Sequence, residues 1–263
     1  DVIINFVPLR KALRQYVVEQ NNTVGVYFEY LPSGISIGAN DREEVKLASL
    51  SKVPLVMSVL KKVERGELKL DDKLVLKKKD LNDKFGDLWK EGEGATFTIQ
   101  ELIEVCLKKS DNTAYYMLFD LLTDAEIIEV YENLEIEVSS KESEPEVSPK
   151  SYSSIFRSLY LSSYLSEVNS NYILKILSET IFTDKIPAGV PANIPISHKI
   201  GVFSRADSPD KVFTDCGIIY IPERPYVLCV FVQGDDAQAK KDISYISKMV
   251  FGYVQIVKGG NDR

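Results

Sequence analysis

Histidine is almost missing from this 263-residue chain, which has only His198. A two-histidine metal site is therefore excluded, and a serine–histidine–aspartate triad would have to use that single residue. His198 falls in an expected strand, where it and Lys199 point to opposite faces, so packing or a backbone hydrogen bond is its expected role. Cysteine is also scarce. Cys106, Cys216 and Cys229 share no CxxC spacing, and they are too few for a zinc site. The odd count leaves at least one free thiol, and Cys216 and Cys229, in apolar strand-like runs, are expected to be buried small hydrophobes. Neither GxGxxG nor GxxxxGK[ST] occurs, so nucleotide binding lacks its usual loop. No apolar run approaches the ~18 residues of a membrane helix. Positive charge is in deficit, at 32 Lys and Arg against 39 Asp and Glu, a net charge of −7. That balance gives no electrostatic footprint for nucleic acid. The first residue is Asp1 rather than Met, and the expectation is that an upstream segment was removed.

What is present describes an ordinary globular chain, 44% hydrophobic and 27% charged, long enough to bury a core without metal or disulfide staples. Residues 6–20 place Phe6, Leu9, Leu13 and Val17 at helical spacing. Residues 23–30 and 35–39 alternate as two strands around a Pro-Ser-Gly turn. Helical patterns follow over 49–66, 98–109, 112–122, 124–133, 149–161 and 166–179. The pattern over 98–109 opens on a Thr-x-x-Glu capping box. Residues 135–148 are acidic and serine-rich and read as a solvated loop. Strands are expected over 195–203, 212–221 and 226–232, and a long amphipathic helix over 235–257. The strands from both ends of the chain should pair in one antiparallel five-stranded sheet, flanked by the two terminal helices, with a helical domain inserted. The expected division is residues 1–45 with 183–263 as the sheet domain and 46–182 as the helical domain, with the active site in the cleft between them.

A nucleophile that works without histidine needs another base, and lysine is the natural candidate. Ser-x-x-Lys occurs at Ser49/Lys52, Ser58/Lys61 and Ser208/Lys211, about as often as composition alone predicts. Context separates the three. Ser208 precedes Pro209, which disfavours a helix, and Ser58 sits mid-helix. Ser49 falls at a helix start, where unpaired amides and the helix dipole favour an oxyanion, and the i, i+3 spacing puts Lys52 on the same face. A capping serine beside a solvated lysine fits the same pattern. Ser110-Asp111-Asn112 lies between two helices, where these residue types are also the preferred caps. Lys199-Ile200-Gly201 lies on a strand and is weak alone.

In this order the three motifs form a signature, and the chain resembles the serine penicillin-recognising enzymes, that is, class A β-lactamases and low-molecular-weight penicillin-binding proteins. Residues 47–57 resemble the family's nucleophile helix, 98–122 the helix pair presenting the middle motif, and 214–232 the strand pair after the third. The resemblance covers nearly the whole chain and implies a β-lactamase/transpeptidase-like α/β fold. It also implies roles. Ser49 is the acylated nucleophile, and Lys52 is its general base or proton relay. Ser110 passes a proton to the leaving nitrogen, and Lys199 steadies Ser110 and attracts the substrate carboxylate. Asn112 holds the substrate amide. The N–H groups of Ser49 and Val202, beside Gly201, form the oxyanion hole.

Two departures bear on the branch. Ile200 stands where the family carries a hydroxyl that helps bind the carboxylate, leaving Ser204 or Arg205 to compensate. Glu144-Pro145-Glu146-Val147-Ser148 is similar to the start of the β-lactamase loop that carries the deacylating glutamate, yet the next helix begins at once, so most of that loop is missing. Glu144 is a candidate base, and a solvated carboxylate is the competing reading. The resemblance implies a D-alanyl-D-alanine carboxypeptidase-like enzyme forming an acyl-enzyme on Ser49. The alternatives are a class A β-lactamase and a penicillin-binding or sensor module that has lost turnover. It implies no cofactor or metal. The implied partner is a cell-wall peptide or a β-lactam, and the implied location is periplasmic or cell-surface.

Overall fold

Strand β9 (Tyr226–Gly234) shows how the chain divides its apolar side chains, because its first seven residues are all buried. Tyr226, Leu228, Val230 and Val232 enter one hydrophobic cluster, while Val227, Cys229 and Phe231 enter another. The period of two along a strand makes that split, and a strand buried on both faces needs cover on both. The structure, a computed structural model, describes residues 4–137, 145–204 and 211–257.

The elements in chain order begin with α1 (Val7–Glu19), β1 (Thr23–Tyr30), β2 (Ile35–Ala39) and β3 (Val45–Lys46). A 3₁₀ turn, Ala48–Ser51, then leads directly into α2 (Lys52–Glu64). Next come β4 (Lys73–Val75), β5 (Thr96–Thr98), α3 (Ile99–Lys108), α4 (Asn112–Phe119) and α5 (Asp124–Asn133). The chain continues through β6 (Glu146–Val147), α6 (Pro149–Leu161) and α7 (Glu167–Ser178). It closes with β7 (Ile196–Ser204), β8 (Lys211–Ile219), β9 and α8 (Asp236–Ile256).

The main sheet has five strands in the order β2-β1-β9-β8-β7, antiparallel throughout. The expected pairing of strands from both ends of the chain is present, with β1 against β9. On one face, Val24, Val26 and Phe28 pack with Leu9 and Leu13 of α1 and with Ile243, Ile246 and Val250 of α8. The other face packs on the helices from α2 to α7. Helix α2 lies at the centre of that cluster, with nine consecutive residues buried from Lys52 to Leu60. A helix buried all round is held by packing rather than by an amphipathic stripe.

Local sequence explains the helix starts. Thr98 caps α3 and Glu101 closes the box, as expected, and Thr123 with Glu126 builds a second box at α5. That second box follows the end of α4 at Phe119, three residues earlier than expected. Each such cap contributes about 0.5–2 kcal/mol.

Two expectations are corrected. The segment read as a solvated loop ends in structure. Glu146–Val147 pairs with Val45–Lys46, Val147 is buried, and the Ser148 side chain caps α6. Pairing with β3 and the apolar core under Val147 outweigh the segment's acidic composition. Cys216 and Cys229 are buried, as expected, but they are joined in a disulfide, because the β8–β9 register puts them directly opposite each other. Cys106 is the free cysteine, buried in α3. Of the candidate site residues, Glu144 and Arg205 lie outside the described residues.

Leu60 is fully buried in α2 and packs among the helices of the larger cluster. Leu60→Ala should cost about 2–5 kcal/mol, read as a lower urea midpoint at unchanged slope. A loss under 1 kcal/mol would show that α2 is not the packing centre.

Candidate active site

Ser49 is the second residue of the turn that opens into α2, and three contacts hold that turn. The Leu47 N–H donates to the Pro145 carbonyl at 3.1 Å, which anchors the turn to the segment beside β6. The buried Tyr152 hydroxyl of α6 donates to the Leu50 carbonyl at 2.8 Å. The Ser51 hydroxyl donates to the Ala48 carbonyl at 2.7 Å. Ala48 has a φ of +47°, an uncommon left-handed conformation for a residue other than glycine. It turns the chain sharply just before Ser49.

Lys52, the first residue of α2, is 3% exposed. Its Nζ donates to Ser49 Oγ at 2.8 Å and to Asn112 Oδ1 at 2.7 Å, and it stands 5.4 Å from the centre of the Tyr115 ring. Burial lowers its pKa, against the pull of Cys106 and Asp111. The Cys106 thiol is itself pushed up to about 11 by burial, so it is neutral near pH 7 and offers Lys52 no counter-charge there. A lysine driven toward its neutral amine at hydrogen-bond distance from a hydroxyl can take that hydroxyl's proton.

The Ser-Asp-Asn triplet gives each residue separate work. Ser110 is fully buried with a φ of +56°, and its Oγ accepts from Lys199 Nζ at 2.8 Å. Asp111 Oδ1 caps α4 through the Ala114 N–H at 2.8 Å, and its Oδ2 accepts the Leu88 N–H at 2.9 Å. Gly86, at φ +84°, passes so close that a Cβ there would meet Asp111 Oδ2 at 2.0 Å. Asn112 Nδ2 donates to Asn82 Oδ1 at 3.1 Å. Sequence reasoning missed Asn82. No motif marks it, and only the folded loop brings it 30 positions along the chain to Asn112.

The third motif lies on β7, one of the two edge strands of the sheet. Lys199 is 1% exposed, and its Nζ also donates to the Ile200 carbonyl at 3.0 Å. Burial drives its pKa well down, and the neighbouring Lys52 charge drives it further. Gly201 lets the strand approach the nucleophile turn, since a Cβ there would meet Thr214 Oγ1 at 2.6 Å and the Leu47 carbonyl at 2.9 Å. Successive strand residues present their polar groups to alternate edges. By that alternation the Val202 N–H shares an edge of the strand with the Ile200 carbonyl, which accepts from Lys199, and Val202 and Ser49 both border the same cavity. His198 points to the other face, and its Nδ1 pairs with Asp215 Oδ1 at 2.8 Å. His198 is packed in the interior, as one of its two expected roles has it, and its side-chain partner is a buried carboxylate rather than a backbone group, because β8 sets Asp215 opposite Ile200, two residues along from Gly217, the register partner of His198.

These groups border a cavity of about 760 Å³. Ser49, Lys52, Asn112, Val202 and Ser204 line it, while Ser110, Lys199 and Gly201 sit buried behind them. Ile200 is 3% exposed and does not line it, so position 200 offers the cavity no side chain. Pro145 lines the cavity, next in sequence to Glu144. No described lining residue is a carboxylate.

The chain matches the family model described as "Beta-lactamase enzyme family" over residues 8–254. It is 25% identical over 253 residues to the extended-spectrum beta-lactamase PER-1 of Pseudomonas aeruginosa, covering 89% of this chain and 82% of that protein. Among solved structures it is similar to PBP-A, with a TM-score of 0.87 at 23% identity over 97% of this chain and 99% of that one. A PBP-A mutant captured as an acyl-enzyme with penicillin-G has a TM-score of 0.85 at 24% identity, covering 94% and 96% of the two chains.

Two outcomes follow from the geometry. Burial keeps Lys52 and Lys199 below the ordinary lysine value of 10.5, so below that value the unfolded chain holds more protons at these positions. Because only the neutral amine of Lys52 can take the Ser49 proton, acylation of Ser49 should speed up as pH rises toward and through the lowered Lys52 pKa, below 10.5, and Lys52→Arg should lose about 10²–10⁴-fold in its rate. A flat pH profile would remove Lys52 as the base. Gly201→Ala should push β7 from the nucleophile turn and lower the same rate while the chain stays folded. A rate equal to that of the unaltered protein would show that the close approach is unimportant.

Proposed function

Because the chain belongs to the beta-lactamase enzyme family, we propose that this serine hydrolase opens β-lactams through an acyl-enzyme on Ser49. The observation that carries the reading is the pair of buried lysine–serine contacts, Lys52 to Ser49 and Lys199 to Ser110, each at 2.8 Å on one side of one cavity. In the reaction, neutral Lys52 takes the Ser49 proton and Oγ attacks the lactam carbonyl. The N–H groups of Ser49 and Val202 receive the oxyanion. Ser110 gives its proton to the departing ring nitrogen and is reprotonated through Lys199. A substrate carboxylate settling near Lys199 favours the charged form of that lysine, and the added charge biases Lys52 further toward the neutral base. With Ile200 buried, Lys199, Ser204 and Arg205 are left to hold that carboxylate.

The names of the relatives support β-lactam hydrolysis above the carboxypeptidase-like activity implied by the sequence motifs. Hydrolysis of the acyl-enzyme needs a base for water, and Glu144, beside the cavity-lining Pro145, is the candidate. The second reading is a penicillin-binding, D-alanyl-D-alanine carboxypeptidase-like enzyme acting on cell-wall peptides. The absence of a carboxylate among the described lining residues favours it, because β-lactam adducts would then persist. A binding module without turnover is the third reading. We place the sheet domain at residues 1–45 with 183–263 and the helical domain at 46–182, with Ser49 at their cleft; the smaller hydrophobic cluster, which lies wholly within 1–45 and 183–263, supports this division, while the larger one joins the other sheet face to the helices. A periplasmic or cell-surface location suits the chemistry, and among the described residues no helix is long and apolar enough to cross a membrane.

Intact-protein mass followed over time with benzylpenicillin tests these readings. The expected result is a transient adduct with drug consumption, lost in Ser49→Ala, and an adduct that persists in Glu144→Gln. A lasting adduct on the unaltered protein would favour the penicillin-binding reading. Consumption that survives Ser49→Ala would refute the mechanism.

A further inference from the structure

Helix α4 begins at Asn112 and carries three aromatic residues within the next seven positions, Tyr115, Tyr116 and Phe119. Thr113, Ala114, Met117 and Leu118 take the buried positions of this helix. Tyr116 and Phe119 are left 41% and 38% exposed, and both line the cavity that holds Ser49. The rings are continuous. Tyr115 and Tyr116 meet edge to face at 5.5 Å between centroids, and Tyr115 and Phe119 lie 6.0 Å apart. Phe85 and Phe203, from two other segments, line the same cavity. Large aromatic rings exposed together inside a concave site mark a ligand surface, since water gains nothing from them and a second ring stacks on them with directional preference.

We propose that Tyr116 and Phe119 form the recognition surface for an aromatic ring on the acyl side of the substrate that acylates Ser49. The inference rests on the acyl-enzyme reading above. Tyr116 lies four residues, about one helical turn, beyond Asn112, and Phe119 three residues beyond Tyr116, so all three share one side of α4. A substrate amide held at Asn112, with its substituent directed along the helix, meets Tyr116 first and Phe119 next. The charge of the lining selects further. The charged residues of the described lining are Lys52 and Lys84, which disfavour a cationic substituent beside them and leave a neutral aromatic one unopposed.

The test compares acylation rate constants for benzylpenicillin and its analogue with an acetyl side chain. The chain as it stands is set against Tyr116→Leu and Phe119→Leu, which keep apolar bulk and remove a ring. The unaltered protein should prefer the benzyl probe by about tenfold, and each variant should bring that ratio toward one. Equal rates for both probes on the unaltered protein would overturn the proposal. So would variants that slow both probes by the same factor, which is what a purely structural role produces. If neither probe acylates the unaltered protein, the acyl-enzyme reading has failed, and this proposal falls with it.

Discussion

Two lysine side chains are buried in one seam of this molecule, and most of the surrounding architecture serves to make that tolerable. Lys52 and Lys199 are 3% and 1% exposed, and an ammonium group taken from water without partners is costly. Among the described residues, each receives oxygen partners instead of a counter-ion at hydrogen-bond distance. Lys52 has Ser49 Oγ and Asn112 Oδ1, and Lys199 has Ser110 Oγ and the Ile200 carbonyl. Oxygens of hydroxyls and carbonyls satisfy the amine hydrogens without fixing the charge, so desolvation keeps both pKa values low. A carboxylate in contact would have satisfied them too, but would have locked the amines charged and useless as bases.

That arrangement requires three segments from distant parts of the chain to meet, and each meeting has its own device. The nucleophile turn is tied to the chain beside β6 and to α6 through the Pro145 carbonyl and the Tyr152 hydroxyl. The middle motif is tied to the loop before it through Asp111 and Asn82. The strand β7 reaches the turn only because position 201 has no Cβ. Asp111 touches no reacting group in these contacts, yet its carboxylate spans the α4 cap and the Leu88 amide, which sets the position of Asn112 beside it.

Much of this was legible in the sequence where the signal is local. Strand alternation, the Thr98 cap and the Ser49/Lys52 spacing each depend on a few neighbouring residues, and the fold repeats them. The misread segment before α6 shows the limit. Acidic composition argues for solvent, but Val147 is taken into the core and its neighbours pair with β3, which no local pattern around residue 147 announces. The same applies to Cys216 and Cys229, whose register partners depend on the length of the turn between β8 and β9.

By itself, then, the sequence determined the fold family and the three motifs, because their order along the chain and the periods of their helices and strands are one-dimensional properties. Tertiary structure alone decided that Asn82 completes the site, that Ile200 turns into the core, that His198 pairs with Asp215 and that three aromatic rings of α4 face the cavity. Each of those outcomes depends on which distant segment arrives alongside, and such contacts are set by packing of the whole chain rather than by neighbours in sequence.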